Sequence, residues 1–303
     1  MAAFRADGSD LPRALVHRIA CSGVTASTPA ATARHPAWRI LRGALLVYAA
    51  WCLILYFLQS RLLFMPYAAG QGMDEGQIAA EPDLERMWIS HSDGVATEGW
   101  VVRSHTQPAH GLVCFLHGNA ELIDYNLAEA REWTSRGFDV LLPEYRGYGR
   151  SPGSPSQDAI VQDTVDAIAQ VTRTASYPTI VLHGRSLGGA VAAQVALRLG
   201  DRCSAVVMES PFRSVASFAW RYGVPPALVR NPFRTDMAIP TLECPVLILH
   251  SRQDEIVPFS HGESLAALNP RATLVPLEGS HNSGLSMTRT YWDAIDALVA
   301  QLP

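Results

Sequence analysis

The sequence predicts an α/β fold in which helices cover both faces of a mostly parallel, doubly wound sheet, with one hydrophobic helix ahead of it. Short apolar runs alternate with amphipathic helical segments from about residue 85 to the C-terminus. Several apolar runs end in polar or glycine-rich turns, the position at which open sheets of this kind bind ligands. A charge-free run, Gly43 to Leu58, lies upstream of every predicted strand.

Composition limits the classes of protein to consider. The chain has 303 residues, of which 48% are hydrophobic and 17% charged, which fits one large globular domain plus an extra segment. The net charge is −4 and no basic stripe with interleaved aromatic residues is present, which argues against a nucleic-acid partner. The five cysteines form no CxxC pair at zinc spacing, so nothing in the sequence requires a metal or an organic cofactor.

The charge-free run predicts a transmembrane anchor over residues 39–61, preceded by a flexible tail over residues 1–38. With Arg42 and Arg61 at its ends, the run approaches the roughly 20 residues that cross a bilayer. A buried core helix would show a polar face, and a cleaved signal peptide would show small residues after the run; neither pattern is present.

The distribution of arginines predicts the orientation of this anchor. Arg34, Arg39 and Arg42 precede the span, whereas Arg61 alone follows it closely. The positive-inside rule therefore places the N-terminus in the cytoplasm and the large domain, residues 62–303, on the opposite side of the membrane.

The elements of the large domain follow in order. Two early strands, 88–91 and 98–103, are expected to be antiparallel. Apolar or β-branched runs predict further strands at 111–117, 138–143, 179–182, 205–208, 246–250 and 273–276. Helical periodicity predicts helices at 122–136, 157–174, 187–199, 261–268 and 287–302. The segment 213–243, between two of the strands, is long enough for a small cap.

The strand that ends near residue 182 leads into a candidate nucleophile, Ser186. The sequence there is Gly184-Arg185-Ser186-Leu187-Gly188, followed by an apolar helix. A serine in such a strand–turn–helix element sits on a sharp turn that lifts its hydroxyl clear of the backbone. The N–H of Leu187, at the start of the helix, is then a candidate donor to an oxyanion.

A serine nucleophile needs a base, and the base needs a carboxylate to orient it. His281 follows the last predicted strand, and Asp254 follows the strand 246–250, so both are expected at the same edge of the sheet as Ser186. Glu255 is the alternative acid. A second oxyanion donor is expected from the turn His117-Gly118-Asn119-Ala120, which directly follows the strand 111–117, and we assign it to the Asn119 N–H.

These motifs resemble those of the α/β-hydrolases of the serine-aminopeptidase-like branch, and within it the small members with a single N-terminal membrane span. The resemblance covers about residues 40–300 and is carried by RLLFMP (61–66), HGNAE (117–121), YRGYGRS (145–151), GRSLGG (184–189), ESPF (209–212) and DEIVP (254–258). It implies an α/β-hydrolase fold with a small cap and an acyl-transfer reaction. Some animal relatives remove palmitate from proteins, so the resemblance implies acyl ester or thioester substrates, on a lipid or an acylated protein.

Two features leave alternatives open. Four cap aromatics (Phe218, Trp220, Tyr222 and Phe233) predict either an open apolar acyl site or simple packing of the cap on the sheet. Asp236 and Glu243 could serve an aminopeptidase, and an acyltransferase or a lipase could use the same triad. A membrane scaffold without catalytic activity is the alternative from another class.

Overall fold

The computed structural model describes residues 36–302, so most of the predicted N-terminal tail lies outside the described residues. The helices run α1 Pro36–Leu63, α2 Glu75–Ala79, α3 Leu127–Ser135, α4 Gln157–Thr174, α5 Leu187–Leu199, α6 Thr235–Ala238, α7 Ser260–Ala266 and α8 Arg289–Val299. The strands run β1 Leu84–Ser90, β2 Ala96–Val102, β3 Gly111–Leu116, β4 Phe138–Pro143, β5 Ile180–Arg185, β6 Ala205–Glu209, β7 Val246–Ser251 and β8 Ala272–Leu277.

The eight strands form a single sheet in the order β1-β2-β4-β3-β5-β6-β7-β8. β2 pairs antiparallel with β1 and with β4, and the other neighbours are parallel. The predicted fold class is therefore confirmed. Because β3, β5, β6 and β7 run parallel side by side, the loops at their carboxyl ends share one edge of the sheet.

The two faces of the sheet carry separate hydrophobic clusters. One cluster combines β-strand residues with α4, α5 and α7, and it includes Phe64 just after α1. The other combines the opposite strand face with α3 and α8, around Trp133 and Tyr291. Strands β3 and β4 are buried along their whole length, which explains why they read as continuous apolar runs in the sequence.

Within the described residues, one helix is long and apolar enough to cross a membrane, and it is the predicted anchor. The stretch is Ala37–Leu63, and at 1.5 Å per residue its 27 residues extend about 40 Å. The helix begins at Pro36 and thus includes residues 36–38, which the sequence analysis assigned to the tail. Proline is a favourable first helical residue because its missing N–H would have no intrahelical acceptor there.

Three further elements differ most from the predictions. Helix α2 has no counterpart among the predicted elements, and an Asp74–Gln77 capping box stabilises its start. The predicted helix 122–136 divides into a 3₁₀ turn, Ile123–Asn126, and α3. Strand β1 begins four residues before its predicted start, because its half-exposed residues lack a clear apolar run.

The insertion between β6 and β7 contains the predicted cap. It consists of the 3₁₀ helix Val215–Tyr222, two further 3₁₀ turns and the short helix α6. Phe233 is fully buried and packs edge-to-face against Phe64, with ring centroids 6.2 Å apart. Trp220 and Tyr222 instead remain exposed. Of these cap aromatics, Phe233 therefore packs the cap onto the domain, whereas Trp220 and Tyr222 lie at the surface.

Candidate active site

Ser186 occupies a strained turn between β5 and α5. Its backbone has φ +51° and ψ −110°, a conformation that non-glycine residues rarely adopt. The Ser186 N–H donates to Glu209 O at 2.8 Å, which holds the turn against the end of β6. A Cβ on Gly184 would overlap the Gly188 carbonyl, and one on Gly188 would overlap that of Leu116. The two glycines thus allow the close packing on which the turn depends.

The structure brings Ser186, His281 and Asp254 into contact. Ser186 Oγ lies 3.2 Å from His281 Nε2, and His281 Nδ1 lies 2.7 Å from Asp254 Oδ2. An ionised carboxylate only accepts hydrogen bonds, so His281 Nδ1 carries the proton and Nε2 is free to accept from the serine hydroxyl. His281 and Asp254 are buried and Ser186 is partly exposed, as an attack on an entering substrate requires.

Backbone and side-chain donors hold the Asp254 carboxylate in place. Its Oδ1 accepts from the N–H groups of Ile256 at 3.0 Å and Val257 at 2.7 Å. His250, which the sequence analysis did not select, lies with Nε2 at 3.3 Å from Asp254 Oδ2 and 2.9 Å from Val257 O. Burial acts to raise the pKa of Asp254, but the hydrogen bonds from His250, His281 and the Val257 N–H outweigh it and lower the pKa well below its usual value.

Glu255, the alternative acid in the sequence, has a different contact. Its Oε2 accepts from the backbone N–H of His281 at 3.1 Å, while its neighbour Asp254 contacts the imidazole. Glu255 therefore holds the loop that carries His281.

Both predicted oxyanion donors lie beside the candidate nucleophile. Asn119 and Leu187 line a cavity of about 350 Å³ together with Ser186. Leu187 is the first residue of α5, so its N–H has no acceptor within the helix. An N–H at this helix terminus is well suited to receive a developing negative charge.

The loop that carries Asn119 is held by a buried ion pair and by the segment after α1. His117 Nε2 lies 2.9 Å from Glu144 Oε1; burial acts to lower the pKa of His117, but Glu144 outweighs it and raises that pKa. Asn119 Oδ1 accepts from the Met65 N–H and from the Tyr148 hydroxyl, each at 3.1 Å. No feature of the sequence indicates this second role for the Asn119 side chain.

Arg185, next to Ser186, is a charged centre that the sequence analysis missed. Its guanidinium contacts Glu129 at 2.6 Å, Glu209 at 3.2 Å and Glu121 at 3.3 Å. Burial acts to lower the pKa of Arg185, but these three carboxylates raise it well above its usual value. Glu121 also accepts from the Gly118 N–H at 3.1 Å, so this carboxylate connects the Ser186 turn to the Asn119 loop. One signal in the sequence could have indicated this centre, because Glu209 is a charged residue at the end of an otherwise apolar strand.

A neutral histidine lies beneath the same turn. His183 Nδ1 accepts from Trp133 Nε1 at 2.9 Å, so its Nε2 carries the proton and donates to the Tyr291 hydroxyl at 2.8 Å. Tyr291 in turn donates to Glu209 Oε2 at 2.8 Å. Burial, with a smaller effect of Arg185, lowers the pKa of His183 to about 3. These hydrogen bonds satisfy the polar groups packed under the strained turn.

Two other groups of candidate residues have different roles. Asp236 pairs with Arg234 at 2.7 Å and Glu243 is exposed, and neither lines the cavity beside Ser186 in the part of the chain that the structure describes. His91, Asp163 and Asp166 lie close enough to hold an ion, but Arg146 already binds both oxygens of Asp163, at 2.6 and 2.5 Å. This second group is accounted for as an ion-pair network.

Comparison with known proteins places this geometry in context. A family model described as serine aminopeptidase, S33, matches residues 107–231. The α/β-hydrolase domain-containing protein WAV2 of Arabidopsis thaliana is 32% identical over 274 residues, which cover 82% of this chain and 89% of WAV2. The membrane protein YNL320W of Saccharomyces cerevisiae is 30% identical over 261 residues, covering 80% of this chain and 88% of its own.

Two further similarities bear on chemistry and on fold. The lysophosphatidylserine lipase ABHD12 of Danio rerio is 31% identical over 188 residues, covering 55% of this chain and 49% of the lipase. A crystal structure of an α/β-hydrolase from Vibrio vulnificus superposes with a TM-score of 0.65 at 20% identity, covering 81% of this chain and 93% of that one. The latter supports the fold alone.

Proposed function

This chain belongs to the serine aminopeptidase (S33) group of the α/β-hydrolase family, and from that premise we propose that it is a membrane-anchored serine hydrolase of acyl esters. One observation carries the proposal. Ser186 Oγ, His281 and Asp254 are in contact in series, at 3.2 and 2.7 Å. Groups in this order supply the base that a serine nucleophile requires and the carboxylate that orients this base.

The proposed reaction has two acyl-transfer steps. Ser186 Oγ attacks the ester carbonyl carbon while its proton passes to His281 Nε2, and the N–H groups of Asn119 and Leu187 stabilise the oxyanion. The ester C–O bond then breaks, and His281 donates the proton to the leaving alcohol. Water then attacks the carbonyl carbon of the acyl-enzyme while its proton passes to His281 Nε2. The bond between this carbon and Ser186 Oγ breaks, His281 returns the proton to Ser186 Oγ, and the carboxylic acid is released.

The proposed substrates are acyl esters with an apolar acyl group. The relative ABHD12 is a lysophosphatidylserine lipase, which supports an ester-linked acyl lipid as the substrate. A thioester is the second candidate, because its carbonyl presents the same atoms to Ser186 and its thiol leaves readily. An aminopeptidase is disfavoured, since Asp236 is paired with Arg234 and does not reach the cavity.

A fluorophosphonate probe and an ester panel test the proposal. The membrane-extracted protein should be labelled at Ser186 and should hydrolyse p-nitrophenyl esters, and Ser186→Ala should lower kcat by about 10⁴-fold or more. Ser283→Ala, an exposed serine in the His281 loop, is the matched control and should retain activity. Equal rates for the Ser186→Ala variant and the parent would refute the assignment. Labelling without turnover of any ester or thioester would favour a non-catalytic role.

Membrane anchoring and its direction are part of the same proposal. The apolar length of α1 supports a membrane span, and the arginines before it support a cytoplasmic N-terminus. A C-terminal alkaline phosphatase fusion expressed in a bacterium should be active, because that enzyme works only outside the cytoplasm. Release of the protein from membranes by alkaline carbonate would contradict the anchor. A fusion that is expressed but inactive would contradict the proposed orientation.

A further inference from the structure

The last turns of α1 form one wall of an apolar groove, and the cap forms the other. The groove encloses about 320 Å³ and is lined on the α1 side by Leu55, Gln59 and Leu63, and on the cap side by Val215, Ala219 and Leu228, among others. A volume of this size lies within the range of small-molecule sites. Its walls are almost wholly apolar side chains, so it suits an aliphatic group.

This groove adjoins the cavity beside Ser186. Both are lined by Leu63, Phe212, Phe218 and Tyr222, so these shared side chains lie where the two meet. Phe212 and Phe218 pack edge-to-face at 6.0 Å between ring centroids, and Phe218 also stacks on His261 at 5.1 Å. An acyl chain whose carbonyl lies at Ser186 has only to pass these shared side chains to extend along α1.

Hydrogen bonds fasten the cap to α1 along the groove. Trp51 Nε1 donates to Tyr222 O at 2.9 Å, and Gln59 Nε2 donates to Leu228 O at 3.1 Å. Gln59 Oε1 accepts from the Arg230 N–H at 2.7 Å. These three bonds join backbone groups of the cap to two side chains of α1, so the groove is a built feature of both elements.

The opposite face of the same α1 turns is also apolar, but it is exposed. Leu53 and Phe57 are 57% and 67% exposed, whereas Cys52 on the cap side is 8% exposed. For a membrane-anchored chain, this exposed face lies against lipid, because no other apolar medium is available to it. The groove and the surrounding lipid are therefore separated by the thickness of one helix.

We propose that the groove between α1 and the cap holds the acyl chain of the substrate, so that the membrane anchor itself is part of the acyl-binding site. The proposal rests on the proposed ester hydrolysis and narrows its substrate to esters of one long aliphatic chain that reside in the membrane. Such a chain leaves lipid for an equally apolar groove and brings its carbonyl to Ser186 without crossing water.

The ratio of activities on long and short esters tests this groove. Leu55→Trp fills the groove, so kcat/KM for p-nitrophenyl palmitate relative to p-nitrophenyl acetate should fall at least about tenfold, as expected when several methylenes lose burial. Leu53→Trp makes the same change on the exposed face of α1, and its ratio should stay within about twofold of the parent. Val215→Trp fills the groove from the cap and should repeat the effect of Leu55→Trp.

A binding measurement separates this proposal from the proposed function. A diazirine-bearing palmitic acid should crosslink to the cap segment around Val215 and Ala219 in Ser186→Ala protein, and unlabelled palmitate should compete. If the parent protein crosslinks to this segment but is not labelled by fluorophosphonate, the hydrolase proposal is wrong and the groove proposal stands. The groove proposal is wrong, and the hydrolase proposal stands, in either of two cases. In the first, Leu55→Trp and Val215→Trp proteins react with fluorophosphonate but their ratio of activities on long and short esters is unchanged. In the second, the crosslinks lie outside the cap.

Discussion

The Met65 N–H donates a hydrogen bond of 3.1 Å to the side-chain Oδ1 of Asn119. Met65 lies two residues after α1, and the Asn119 N–H is the proposed second oxyanion donor. The same Met65 N–H also lies 3.0 Å from the Tyr148 hydroxyl, which itself donates to Asn119 Oδ1. The end of the anchor is thereby fixed to the loop that is proposed to bind the transition state.

Removal of the Asn119 side chain should disturb catalysis although the proposed donor is a backbone group. In Asn119→Ala, the loop loses its bonds to Met65 and Tyr148, and an oxyanion donor displaced by a fraction of an ångström loses much of its effect. We expect kcat for p-nitrophenyl acetate to fall about tenfold with little change in KM. Steady-state kinetics and the rate of fluorophosphonate labelling measure this.

Tyr67→Phe is the matched control for Asn119→Ala. It removes a hydrogen bond at the same junction, from the Tyr67 hydroxyl to Arg61 O, without contact with the Asn119 loop. Its kcat should remain close to that of the parent. If Asn119→Ala lowers the melting temperature but leaves kcat unchanged, the side chain is only structural.

Loss of Arg185 should cost much stability. Arg185→Met leaves Glu121, Glu129 and Glu209 close together without their shared cation. Because unpaired buried charges are costly, we expect the free energy of unfolding to fall by about 3 kcal/mol. Denaturant titration of the detergent-solubilised protein measures it, and Arg185→Lys should recover part of the loss.

Arg131→Met is the control for this prediction. Arg131 forms an ion pair with Glu81 at the surface, and about half of its side chain is exposed. A pair of this kind contributes at most about 1 kcal/mol. Equal destabilisation by Arg185→Met and Arg131→Met would show that the three carboxylates do not depend on Arg185.

The lowered pKa of Asp254 predicts a pH dependence of stability. A carboxylate with a folded-state pKa below its unfolded value, about 3.9, stabilises the fold above that value and loses this contribution as the pH falls further. The difference in unfolding free energy between the parent and Asp254→Asn should therefore be largest near neutral pH and shrink below about pH 4. A difference that stays constant over this range in denaturant titrations would contradict the assigned cause.

Exchange of either acid next to His281 distinguishes the two carboxylates. Asp254→Asn should lower kcat by about 10⁴-fold, because an amide in contact with Nδ1 no longer enforces the required tautomer. Glu255→Gln keeps an oxygen acceptor for the His281 N–H and should lose less than about tenfold. The reverse order in steady-state assays would assign the catalytic acid to Glu255.

Two adjacent glycines offer a steric test of the Ser186 turn. A methyl group on Gly188 would overlap the Leu116 carbonyl, whereas one on Gly189 would come no closer than 3.3 Å to Gly184 O. We expect Gly188→Ala to abolish fluorophosphonate labelling or folding, and Gly189→Ala to retain most of the parent's labelling. Labelling is measured on detergent-solubilised protein together with its melting temperature. Equal labelling of the two variants would contradict the close packing of the turn.

The sequence was sufficient for the elements with strong local patterns. Helices α4 and α5 have the predicted bounds, because a continuous apolar stripe and clear end signals define them. The sequence was insufficient for α2, because five residues are too few to show a helical repeat of apolar residues. It was also insufficient for β1, because buried and exposed residues do not alternate clearly along this strand. The cap could be located from the sequence, but the roles of its aromatic side chains could not be assigned. Whether Phe233 packs inward and Tyr222 lines a groove depends on the residues that each ring contacts in the folded chain.

By itself, the sequence determined which turns carry Ser186, Asp254 and His281, because each follows a strand and parallel strands bring their carboxyl ends to one edge. Only the tertiary structure decided that Arg185 contacts three carboxylates from different segments, that Asn119 binds Met65, and that α1 and the cap enclose a groove. The physical reason is range. Periodicity and turn chemistry act over a few neighbouring residues, whereas these contacts join segments 24 to 171 positions apart and depend on how the helices and the cap pack.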